Sequence, residues 1–176
     1  MMGNGLPNRE TPLTARKDAL LAAWLTRTLE TYPAESRDFL VREKDSFRNP
    51  VGHTLREGLA SLLDGLLGAR DVMDLVSVLE PMVRLRAVQD FSPNQALSFL
   101  FLLKDVAREE AARLGESACE ETERLEKRID RLALTAFDLY MKCREEMSTI
   151  QINAARRSLF VQLHRQKASG RMKDEA

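Results

Sequence analysis

No glycine and no proline occurs between Gly115 and Gly170. The rest of the chain is punctuated by both, so this run predicts one long helix. The apolar positions inside it give the period. Leu125, Ile129, Leu132, Ala136, Tyr140, Cys143, Met147, Ile150 and Ala154 follow one another at steps of three and four. They therefore share one helix face. About fifty residues at a rise of ~1.5 Å reach ~75 Å, whereas the preceding segment, Ser92 to Leu114, covers only ~33 Å. Packed antiparallel, that shorter neighbour is used up near Leu139. Beyond it, the stripe has to be buried by other helices of the chain or by a partner, and a break near Ser148-Thr149 is the intramolecular alternative.

The other segments also read as helices. A polar arm over 1–13 leads to a helix from Thr14 to Thr31, ended by Tyr32-Pro33, and a short helix from Ser36 to Lys44. Asn49 caps the next helix, with Pro50 at the first helical position, where its missing N–H costs nothing. Val51, Leu55, Leu59, Leu62 and Leu66 form its buried stripe, and Gly68 ends it. Gly58 and Gly65 beside that stripe predict that another helix backbone packs close, because glycine inside a helix costs ~1 kcal/mol relative to alanine. Asp71 to Leu79 is helical. Pro81 predicts a kink, or a new helix running to Asp90. Ser92, Pro93 and Gln95 form a capping box, and Ser117 with Glu120 has the spacing of a second. The expected organisation is an arm over 1–13, a helical domain over 14–115, a long helix over 116–168 and a tail over 169–176. The fold class is all-α, a multi-helix bundle with a long C-terminal helix.

Composition narrows the function. Lys plus Arg and Asp plus Glu each number 27, so the chain has no basic excess for nucleic-acid phosphates. No stretch approaches the ~20 apolar residues of a membrane span. There is no export leader, and Cys119 and Cys143 are isolated. These features predict a cytoplasmic chain with reduced thiols.

Sites of chemistry are not evident. The two histidines, His53 and His164, lie in unrelated segments, His53 opposite the Leu55 stripe. There is no His-Glu-x-x-His, no Cys-x-x-Cys and no glycine-rich phosphate loop. The expectation is no enzyme, no metal and no cofactor. Cys119, in the first turn of a helix, reads as a small helical residue or as a redox-sensitive thiol. Arg84, Arg86, Gln89 and Asp90 form a polar cluster beside the Ser92 cap. It reads either as a corner network or as a contact patch for a protein or small anion, since arginine forks suit both. From Arg156 to Lys173 the charges are all basic, including Arg157, Arg165, Lys167 and Arg171. That end is either a solvated helix terminus or a contact for an acidic surface.

Two segments carry a resemblance. One is Asn49-Pro50-Val51-Gly52 with Leu55-Arg56-Glu57-Gly58-Leu59. The other runs from Val83-Arg84-Leu85-Arg86 through Gln89-Asp90-Phe91-Ser92-Pro93-Asn94-Gln95-Ala96 to Phe101-Leu102-Leu103-Lys104. Both resemble the amino-terminal domain of the RsbT co-antagonist RsbRD family, over roughly Leu20 to Leu114. The resemblance implies a haem-free, globin-like helical sensor that pairs through its helices and serves bacterial stress signalling. It brings no catalytic residue. No sulfate-transporter/anti-sigma-antagonist type module is expected after Leu114, and Phe137 to Arg144 is similar to tails of stand-alone members in sulfate-reducing bacteria.

The functional expectation is a non-enzymatic regulatory or adaptor domain acting through protein contacts, as a homodimer. Leu132, Ala136, Tyr140, Cys143, Met147 and Ile150 are the expected dimer interface. The acidic start of the long helix (Glu116, Glu120, Glu121, Glu123 and Glu126) and its basic end favour an antiparallel pair crossing near Tyr140. The alternatives are a small-molecule sensor with a pocket in the helical core, and an accessory factor for a membrane-bound electron-transfer complex.

Overall fold

The computed structural model describes residues 11–68 and 70–171. Residues 1–10 of the expected arm and 172–176 of the expected tail lie outside it, as do the side chains of Arg165, Lys167 and Arg171. Among the described residues the chain is all helical. The elements are α1 (Lys17–Glu30), α2 (Ala34–Arg42), α3 (Pro50–Leu67), α4 (Val76–Val88), α5 (Pro93–Leu114) and α6 (Cys119–Arg171). Short 3-10 turns at Thr14–Arg16, Met73–Leu75 and Glu116–Ala118 precede α1, α4 and α6.

One compact unit closes at Tyr140, and the described residues from Met141 onward fall in a second. In the first, α1 packs on α3 and α5, and α4 on α3 and α5. Trp24 is fully buried there. Its indole N–H donates to the Phe99 carbonyl at 2.6 Å, and the two rings stack. The α3 stripe is buried at Leu55, Leu59, Leu62 and Leu66 as its spacing requires. Its start is also as read: the Asn49 side-chain oxygen accepts from the Gly52 N–H at 2.8 Å, ahead of Pro50. The same side chain donates to the carbonyls of Leu40 and Glu43 at the end of α2. Asn49 is itself buried, so one amide closes one helix and opens the next.

Helix α5 opens on the full capping box. Ser92 accepts from the Gln95 N–H, and the Gln95 side chain accepts from the Ser92 N–H at 3.0 Å. It ends at Gly115, whose φ of 81° lies in the left-handed region that favours glycine. Helix α6 returns antiparallel to α5. Arg108 pairs with Glu126 at 2.6 Å and Lys104 with Asp130 at 2.8 Å, four residues back on one helix matching four forward on the other. The hairpin closes where the Tyr140 hydroxyl donates to the Phe91 carbonyl at 2.8 Å, just before α5 begins. That is the exhaustion point the helix lengths predict.

The structure corrects four local expectations. Pro81 does not start a new helix: it lies inside α4 on an exposed position. Burial of Leu79, Met82 and Val83 on either side holds the helix together despite the missing donor. The glycines of α3 are approached by side chains, not by a helix backbone. A Cβ on Gly58 would strike the Met82 side chain, and one on Gly65 would strike Leu75. Ser117 does not cap α6, because it lies within the 3-10 turn Glu116–Ala118 and the α-helix starts at Cys119. Order also begins before Thr14: Leu13 is fully buried and its N–H donates to Glu121 at 2.9 Å, while the Thr11 hydroxyl donates to the same carboxylate.

Candidate functional site

Arg86 is in register with the buried face of α4, where Leu79, Met82, Val83 and Ala87 also lie. It is fully buried. Its Nη2 donates to the Thr31 hydroxyl at 2.6 Å and to the Gln95 carbonyl at 3.1 Å. The guanidinium carbon lies 4.7 Å from the centre of the Phe91 ring, 5.1 Å from Tyr32 and 5.7 Å from Phe99. No carboxylate pairs with it among the described residues, and its Nε and Nη1 are buried without hydrogen-bond partners. Each cation–π contact contributes ~0.5–2 kcal/mol. Burying an ion without a counter-charge costs several kcal/mol, and each unmatched donor adds to that. Burial pulls the Arg86 pKa below its ordinary value, offset in part by Tyr32. Burial likewise raises the Tyr32 phenol, while the Arg86 charge lowers it.

Above this arginine is a cleft of about 590 Å³ lined by Thr31, Tyr32, Pro33, Ser36, Gln89, Asp90, Phe91 and Gln95. Four of those residues, Thr31, Tyr32, Phe91 and Gln95, also touch the Arg86 guanidinium. The cleft is built by the turn between α1 and α2, the α4–α5 corner and the first turn of α5. Tyr32 and Phe91 meet edge to face at 5.2 Å, and the Tyr32 hydroxyl donates to Gln89 at 3.3 Å. Asp90 has a φ of 59°, a left-handed conformation that aspartate tolerates better than most residues, and it turns the chain into Ser92. A second cleft of about 410 Å³ adjoins at Tyr32, Ser36 and Gln89 and runs over Leu40, Asn49 and Val51.

The expected cluster of Arg84, Arg86, Gln89 and Asp90 is thus divided. Gln89 and Asp90 line the cleft, Arg86 lies beneath it, and exposed Arg84 pairs with Glu80 at 3.6 Å. Sequence reading missed Tyr32, Phe91 and Thr31. The available signal was the register of Arg86 itself, three and four residues from Val83 and Met82 on the apolar face.

The expected interface on the long helix is also divided. Leu132, Ala136 and Tyr140 are buried within the chain's own first unit, and Cys143 is buried too. Met147 is half-buried and Ile150 is 65% exposed. Cys119, His53 and His164 are exposed.

Among the described residues no three His, Cys, Asp or Glu side chains gather as for a metal, and no helix is long and apolar enough to cross a membrane. Helices around one core, with a cleft over a buried cation, define an all-α domain. The family described as the RsbT co-antagonist protein rsbRD N-terminal domain matches residues 18–155, and the chain belongs to it. This is a signalling and regulatory family, not an enzyme family. The matched span passes the boundary expected at 115 and takes in α6 as far as residue 155. No curated protein and no solved structure matches the chain.

Proposed function

We propose that this chain is a stress-signalling regulatory domain that acts through protein contacts made by the second part of α6, and that its first partner is another copy of itself. One observation carries the reading. The apolar stripe continues past Tyr140 through Met147 and Ile150, yet Ile150 and, three turns further along the same face, Val161 are both about half exposed or more. Apolar residues at this density on a charged helix mark a contact surface.

A second copy crossing antiparallel over this segment brings Glu145 and Glu146 toward Arg156 and Arg157 of its mate, whereas a parallel pair sets like charge against like. Exposed ion pairs contribute only ~0.2–1 kcal/mol each, so they select orientation while apolar burial supplies the affinity. The contact centre lies beyond Tyr140, because the chain already covers Leu132, Ala136 and Tyr140.

Light scattering on the full chain tests this. The expected mass is twice the 20.0 kDa of one chain, reduced to one chain by Ile150→Glu. A monomer at high concentration overturns the homodimer. The exposed segment then requires a different protein, which a pull-down with the wild type and Ile150→Glu side by side identifies.

A further inference from the structure

We propose that the cleft between the α1–α2 turn and the start of α5 binds a small monocarboxylic acid whose charge is taken by Arg86. The guanidinium has no carboxylate from its own chain, and its Nε and Nη1 are buried without partners. Four of the residues that hold or cover it are also walls of the cleft. A planar carboxylate is the group that matches such a fork in both charge and geometry.

The walls define the remainder of the ligand. Tyr32, Pro33 and Phe91 give apolar and aromatic surface, while Ser36 and Gln89 supply neutral polar groups at the rim. A cleft of about 590 Å³ suits a small molecule with an aromatic or short aliphatic body. The single buried guanidinium offers one positive charge, which matches a single-charged ligand better than a phosphate or a dicarboxylate. Entry requires the Tyr32 ring to move. The ring lines the cleft and lies 5.1 Å from the guanidinium carbon, and its hydroxyl donates to Gln89 at 3.3 Å. The Trp24 ring stacks on Phe99, which lies 5.7 Å from Arg86, so indole fluorescence reports occupancy. This site does not depend on the dimer proposed for α6.

The test is calorimetric and fluorescence titration of the full chain with benzoate, and with benzamide as its neutral counterpart. Benzoate is expected to saturate and to bind at least ~tenfold more tightly than benzamide. Gln89→Glu, which adds a second acid at the exposed rim and leaves the core intact, is expected to weaken benzoate at least ~tenfold. Arg86→Met is expected to abolish the preference for acid over amide. If Arg86→Met does not fold, the rim variant decides. Equal binding of the two compounds, no saturation by benzoate, or benzoate binding unchanged in Gln89→Glu overturns the proposal.

Discussion

The two parts of α6 share a helical period and have opposite surroundings. Up to Tyr140, Leu125, Ile129, Leu132 and Ala136 are buried. From Met147 onward the same spacing yields Ile150 at 65% exposed. Hydrophobic periodicity thus specifies a face and its orientation but not what covers it. The cover over the first part is set by the length of α5, which runs out at Ser92 opposite Tyr140.

Substitutions can break this comparison. Leu132→Ala is expected to cost ~2–5 kcal/mol of unfolding free energy, as for a fully enclosed leucine. Ile150→Ala should stay within ~0.5 kcal/mol in a monomeric background. Chemical denaturation of both measures the contrast, and equal losses would show that the second part is covered within the chain.

Ser92→Ala removes the cap at the point where α5 stops covering α6, and is expected to cost ~1 kcal/mol in the same assay. An unchanged midpoint would move the start of α5 away from the box.

Acid provides a finer probe of the covered part. Glu110 on α5 is buried beside Arg16 and Arg113, and the hydrogen bond from Arg16 chiefly holds its pKa below the ordinary 4.5. A carboxylate with a lowered folded pKa contributes stability above its unfolded pKa and loses it as the pH falls through the folded value. Melting temperature should therefore drop as the pH falls below about 4.5, and Glu110→Gln should flatten that limb. The effect is small because Arg16 is half exposed.

The least change is expected from shortening the chain after residue 146. Circular dichroism should lose helix in proportion to the residues removed, with the melting temperature of the remaining unit nearly unchanged in a monomer. A large drop would tie the second part to the core.

What sequence reading recovered was local. Asn49-Pro50 and the Ser92–Gln95 box each complete their chemistry within four residues, so spacing alone places them. Pro81 misled because its penalty is local while the burial of Met82 and Val83 that offsets it is tertiary. Ser117 misled because one 3-10 turn shifts the register of a cap. The fate of Arg86 was hardest to read. Its surroundings come from Thr31 and Tyr32 after α1, Phe91 before α5, and Phe99 within α5. Arginine is charged enough that a surface position is the natural reading, although its place in the α4 stripe pointed inward. The clefts depend on the same distant segments.

Asn49 has a chemical consequence of another kind. Asparagine ages in proteins when the nitrogen of the next residue, having lost its proton, attacks the side-chain carbonyl and closes a succinimide. Here the next residue is Pro50, whose nitrogen has no proton to lose. The side-chain amide also holds three backbone groups in a buried position. The junction between α2 and α3 therefore rests on an amide that is slow to deamidate, and the protection given by Pro50 persists even when the chain unfolds.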